Sequence, residues 1–169
     1  MKKRILSLIL ACTMVFSVLC VSAAAAEPST ESGASSSVAV PNYLYNDYFT
    51  GGTGILNTIA GNISKIDPVS SGSLSVNAKV TSVELRVAVS KGSTDFYLGV
   101  ISPKGTVVET YVIGSYTNSV TRYITLDDFN GEDPYGTWYI YIYNTGTAFT
   151  DVATATVNMT VRYGYDSYA

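Results

Sequence analysis

LSVNAKVTSVELRVAV, residues 74–89, alternates apolar and polar side chains along almost its whole length. Leu74, Val76, Ala78 and Val80 fall on one side of an extended chain, with Ser75, Asn77 and Lys79 on the other. After Thr81-Ser82, Val83, Leu85, Val87 and Val89 alternate with Glu84, Arg86 and Ala88. A period of two marks a strand with one buried face and one wet face, so two strands are expected here.

The pattern continues toward the C-terminus. Phe96, Leu98 and Val100 repeat it, and Ser102-Pro103-Lys104-Gly105 reads as a turn because Pro fixes one corner and Gly accepts a positive φ. Thr106 to Ile113 is rich in β-branched residues, and Val120 to Leu126 reads as a further strand. Trp138, Ile140 and Ile142 alternate with Tyr139, Tyr141 and Tyr143, which places Trp138 in the core. Asn144-Thr145-Gly146-Thr147 turns the chain into a strand carrying Ala153, Ala155, Val157, Met159 and Val161. Roughly seven short strands without a helix specify an all-β, antiparallel β-sandwich or barrel.

Upstream the reading is less determined. Val38 to Pro68 mixes Tyr43, Tyr45, Tyr48 and Phe49 with the turn Gly51-Gly52-Thr53-Gly54. Ile55, Leu56, Ile59, Ile63 and Ile66 fit a helix face as well as a packed loop or strand. Met1-Lys2-Lys3-Arg4 followed by an apolar run and Ser22-Ala23-Ala24-Ala25-Ala26 has the three parts of a secretory signal peptide, residues 1–26. Residues 27–40 form a Ser-rich flexible leader, 41–73 an N-terminal extension packing on or leading into the sandwich, and 74–169 the sandwich itself. The expected compartment is extracellular, with no retained membrane span.

Removing the signal peptide removes Cys12, Cys20, Lys2, Lys3 and Arg4, which takes the formal charge of the 169-residue chain from −3 to −6. The remainder has no Cys and no His. That excludes a disulfide framework, a Cys/His zinc site and any His-dependent triad. An acidic surface argues against nucleic acid as a partner.

Several segments, taken in order, resemble the P domain (P/Homo B) of subtilisin-like proprotein convertases. They are the Val83-x-Leu85-x-Val87-x-Val89 strand, Asp95-Phe96-Tyr97-Leu98, Ser102-Pro103-Lys104-Gly105-Thr106, and Phe129-Asn130-Gly131-Glu132-Asp133-Pro134-Tyr135-Gly136-Thr137-Trp138. The resemblance spans about Leu74 to Tyr163. It departs at Ser90-Lys91-Gly92, where the family often has His, and at Asp151-Val152-Ala153, which lacks the family's Gly and Trp. It implies a jelly-roll-like, galactose-binding-like sandwich, sometimes with bound calcium. Related domains stabilise a neighbouring protease domain; none is expected ahead of this module, so such a role would act in trans on a secreted protease.

Two constellations stand out as candidate sites. Asp127, Asp128, Asn130, Glu132 and Asp133 offer oxygen ligands in one short loop, and calcium is the candidate cofactor. The competing reading is a solvated loop whose acidic residues form turns. As a glycosidase pair the same residues fit poorly: no second acidic cluster converges on them, and an enzyme is not expected. The second constellation is the stripe Tyr139, Tyr141 and Tyr143, on the strand face opposite Trp138. Such a stripe suits a sugar ring or a protein surface, and the expected partner is a protein or glycan at the cell envelope. The competing reading is that Tyr simply has high strand propensity.

Overall fold

The computed structural model describes residues 42–166. The segments read as a signal peptide, 1–26, and a Ser-rich leader, 27–40, both lie outside these residues. Nine strands and no helix make up the described chain: β1 Tyr45–Gly52, β2 Leu56–Ile59, β3 Asp67–Ser70, β4 Lys79–Val89, β5 Phe96–Ile101, β6 Val107–Val112, β7 Val120–Leu126, β8 Thr137–Asn144 and β9 Val152–Tyr165. They form two antiparallel sheets. One runs β1-β9-β4-β7 with β2 also on β9, and the other runs β3-β8-β5-β6. Each sheet thus interleaves strands from the start, middle and end of the chain, the connectivity of a jelly roll.

Alternation places the core between the sheets. Val83, Leu85, Val87 and Val89 of β4 and Ala155, Val157, Met159 and Val161 of β9 share a buried cluster with Phe96, Leu98 and Val100 of β5 and Trp138, Ile140 and Ile142 of β8. Trp138 is fully buried; its indole N–H donates to the Pro134 carbonyl at 3.1 Å. Phe129 meets the Trp138 ring edge-on at 5.2 Å. The Phe129-to-Trp138 segment is therefore one packed unit, with the indole dipole satisfied from within it.

The turn at Ser102 forms as read. Gly105 N–H donates to the Ser102 carbonyl at 2.9 Å, and Gly105 takes φ 93°. The first alternating run behaves differently. Residues 74–78 are not a strand: Asn77 adopts φ 60°, and Ala78 N–H closes a turn on the Ser75 carbonyl. Asn tolerates the left-handed region better than other side chains, so a local turn replaces the extended continuation. The chain becomes extended only at Lys79, and a register shift between Val80 and Ser82 marks a bulge before the regular part of β4.

The segment 41–73, expected to pack on or lead into the sandwich, carries three strands hydrogen-bonded into both sheets. β1 and β2 lie end to end along β9, and β3 pairs with β8. Between β2 and β8, the buried Asn144 ties the layers together. Its amide donates to the carbonyls of Thr58 at 3.2 Å and Asp151 at 3.0 Å, and its oxygen accepts from Gly146 N–H at 2.7 Å and Thr94 Oγ at 3.2 Å. All four hydrogen-bonding positions of a buried amide are filled.

Candidate functional site

The outer face of the β3-β8-β5-β6 sheet carries the tyrosines. With Trp138, Ile140 and Ile142 turned inward, Tyr139, Tyr141 and Tyr143 point to the other side of β8. The register adds neighbours that the stripe alone does not contain. Tyr143 pairs with Tyr97 of β5, and Tyr97 pairs with Tyr111 of β6, which makes one row of three tyrosines across three strands. Two residues along, Tyr141, Gly99 and Glu109 form the next row, and two further along come Pro68, Tyr139, Ile101 and Val107. From the spacing of strands, the tyrosine row is about 10 Å wide, and Tyr139 lies about 13 Å from Tyr143 along β8.

These side chains are not equivalent. Tyr97, Tyr111, Tyr139 and Tyr143 are 38%, 50%, 41% and 37% exposed, whereas Tyr141 is only 8% exposed. The reason lies beneath it. Gly99 has no side chain, and a Cβ there would fall inside the Tyr141 ring, so the ring lies over the glycine. Its hydroxyl then reaches Glu109 and donates to Oε1 at 2.7 Å. Burial, and next the bond to Glu109, push the Tyr141 hydroxyl up to about 12. Tyr141 is thus a packed strut in the face, and its neighbours are the more exposed rings.

Tyr111 is held in another way. Its hydroxyl donates to the Asp95 carboxylate, which also accepts the Gly114 N–H at 2.8 Å. The bond to Asp95 raises the Tyr111 hydroxyl above its usual value. Tyr97 and Tyr111 meet edge-on, with centroids 5.5 Å apart. Exposed Ile63, bridged to Tyr143, and Val107 extend the face with aliphatic surface. Tyrosines held by their neighbours lose little conformational entropy on binding, and such aromatic anchors dominate contact energies.

The acidic loop is arranged differently. Its backbone closes on itself and on the start of β4: Asn130 N–H bonds to the Asp127 carbonyl, Glu132 N–H to the Phe129 carbonyl, and Gly131 and Glu132 pair with Val80. Asp127, Asp128 and Asn130 are exposed. Asp133 accepts the Tyr135 N–H at 2.9 Å, and Glu132 accepts the Thr106 hydroxyl at 2.5 Å through one oxygen, while its other oxygen is buried with no partner among the described residues. Among the described residues no three acidic side chains stand close enough together to hold a metal ion. In this conformation the loop backbone closes into turns, with Asp127, Asp128 and Asn130 exposed around it.

The sequence matches no protein-family model and no curated protein. Solved structures similar in shape include FLHE, with a TM-score of 0.50 at 15% identity, covering 72% of this chain and 97% of that one. A chain of tomato aspermy virus follows at 0.43 and 12%, covering 73% and 80%. A chain from the disulfide-linked pili of Bacillus endospore appendages follows at 0.33 and 15%, covering 75% and 96%. The likeness to FLHE shows a shared fold alone.

Proposed function

We propose that this chain is an exported, non-catalytic binding module of P-domain-like sandwich type. Its partner is held on the tyrosine face of the β3-β8-β5-β6 sheet. The observation that carries the reading is the row Tyr143, Tyr97 and Tyr111, delivered in register by three adjacent strands and joined by half-exposed Tyr139. The favoured partner is a protein outside the cell, because Ile63, Ile101 and Val107 surround the tyrosines with aliphatic surface that a protein contact would bury. A secreted protease, bound in trans, is one such protein that the P-domain resemblance suggests.

A glycan is the second reading. It is favoured by the two carboxylates, Asp95 and Glu109, that stand among the rings and could accept sugar hydroxyls beside a stacking surface. The test is retention of extracellular proteins and binding to a glycan array by the wild type and by the double variant Tyr97→Ser/Tyr143→Ser. Both side chains are more than half buried in the face, so the variant is expected to melt lower than the wild type, and binding is compared at a temperature where both proteins are folded. A protein or sugar bound by the wild type and at least tenfold more weakly by the variant supports the reading. Equal binding by both proteins overturns it.

A further inference from the structure

The opposite sheet carries a second groove, which mixes charged and polar groups with apolar surface. On the outer face of β1-β9-β4-β7, register sets Tyr123 of β7, Arg86 of β4, Asn158 of β9 and Gly52 of β1 in one row, with Thr125, Glu84, Thr160 and Thr50 in the next. A cavity of about 390 Å³ opens over the β7, β4 and β9 members of these rows. That volume lies within the ~300–1,000 Å³ range of small-ligand sites. A Cβ at Gly52 would collide with the Asn158 side-chain oxygen, so the glycine leaves room for that amide.

The two arginines of this face differ in one respect. Arg162 grips Glu84 with both ends of its guanidinium, at 2.6 Å and 3.2 Å, and lies over the Tyr48 ring. Both Glu84 oxygens are taken, and the bond to Arg162 holds that carboxyl below its usual value. Arg86, on the same strand as Glu84, has no carboxylate or other hydrogen-bond partner among the described residues. A guanidinium presents a planar fork suited to a carboxylate. Tyr123, 78% exposed, stands beside it as a stacking surface one strand away. Asn158, Thr125 and Thr160 surround the cation with neutral groups that both donate and accept.

We propose that this groove binds an acidic saccharide, with Arg86 pairing the carboxylate of a hexuronic acid unit and Tyr123 stacking on its ring. The amide and hydroxyls then serve the sugar hydroxyls. This site is independent of the tyrosine face on the other sheet. The probe is trigalacturonate, titrated calorimetrically into the full exported chain at low salt, beside the methyl ester of the same trimer. Saturable binding to the acid is expected, at least tenfold weaker for the ester and for Arg86→Gln, and intermediate for Arg86→Lys, which keeps the charge but loses the fork. Arg86 is exposed, and each variant is required to show the wild-type melting temperature. The Tyr97→Ser/Tyr143→Ser variant is expected to bind the trimer as the wild type does, so failure here is separable from failure of the tyrosine face. Absence of saturable binding, equal affinity for the ester, an unaffected Arg86→Gln, or capture of a peptide α-carboxylate in place of the sugar acid would overturn the proposal.

Discussion

Gly99→Ala exchanges one hydrogen for a methyl group at the centre of the tyrosine face, and the structure gives it a large effect. The added Cβ would occupy the space of the Tyr141 ring, which must swing away from β5. A tyrosine buries ~150–250 Å² in a packed site. If about half of that returns to water, ~100 Å² at ~25 cal/mol per Å² costs about 2.5 kcal/mol. Loss of the Tyr141–Glu109 bond adds about 1 kcal/mol, and relief of glycine's backbone entropy returns about 0.5–1 kcal/mol. The net destabilisation is about 2.5–3 kcal/mol, or a fall in melting temperature on the order of 10 °C for a domain of this size. The assay is urea unfolding of wild type, Gly99→Ala, Tyr141→Ala and the double variant. Because the penalty arises from the ring, Gly99→Ala should be neutral or slightly stabilising in the Tyr141→Ala background, with a coupling of about 2 kcal/mol or more. An equal penalty in both backgrounds, or none in either, would refute the argument that glycine and ring are built for each other.

Other consequences are as direct. Asn144→Ala removes four buried hydrogen bonds and is expected to cost about 3 kcal/mol in chemical denaturation; a loss under about 1 kcal/mol would mean that water replaces the amide. Tyr141 titrates near 12 in the folded chain, above its ordinary value of 10. A raised folded value favours the native state fully below the unfolded value and is lost as pH rises through the folded one, so stability should fall between pH 10 and 12. Tyr141→Phe should fall less steeply across that window in thermal melts, and an unchanged slope would contradict the assignment. Because the 127–133 loop builds turns, exchanging calcium for a chelator should leave the melting temperature unchanged; a large rise with calcium would show that the loop rearranges to bind it.

Much of this fold was readable because strand alternation is a local signal. β4, β5, β8 and β9 follow from period-two patterns and β6 from a β-branched run, and Trp138 as a core residue follows from its alternation with Tyr139 and Tyr141. The failures were local too. Leu74 to Val80 has a strand's pattern, yet Asn77 in a left-handed turn interrupts it. β1 runs YNDYFTGG along a sheet edge with most of its side chains exposed, so it lacks the buried alternation that would announce a strand. The site was half legible. The orientation of Tyr139 and Tyr143 came from β8 alone, and Tyr97 could have been placed outward from its position between Phe96 and Leu98. That β5 lies between β8 and β6, so that Tyr97 joins Tyr143 to Tyr111, is a matter of long-range strand order. Likewise, Tyr141 is buried because of Gly99 on a strand forty residues away in sequence, and nothing around Tyr141 announces it.

The most direct test of the tyrosine face as the binding surface is photo-cross-linking in cells that express the full chain. A benzophenone amino acid, which inserts into C–H bonds of proteins and sugars alike, would replace Tyr97 in one variant and Tyr48 on the opposite sheet in another. The account predicts a discrete covalent adduct from position 97 and none of that mass from position 48. An adduct from position 48 with none from position 97 would contradict it.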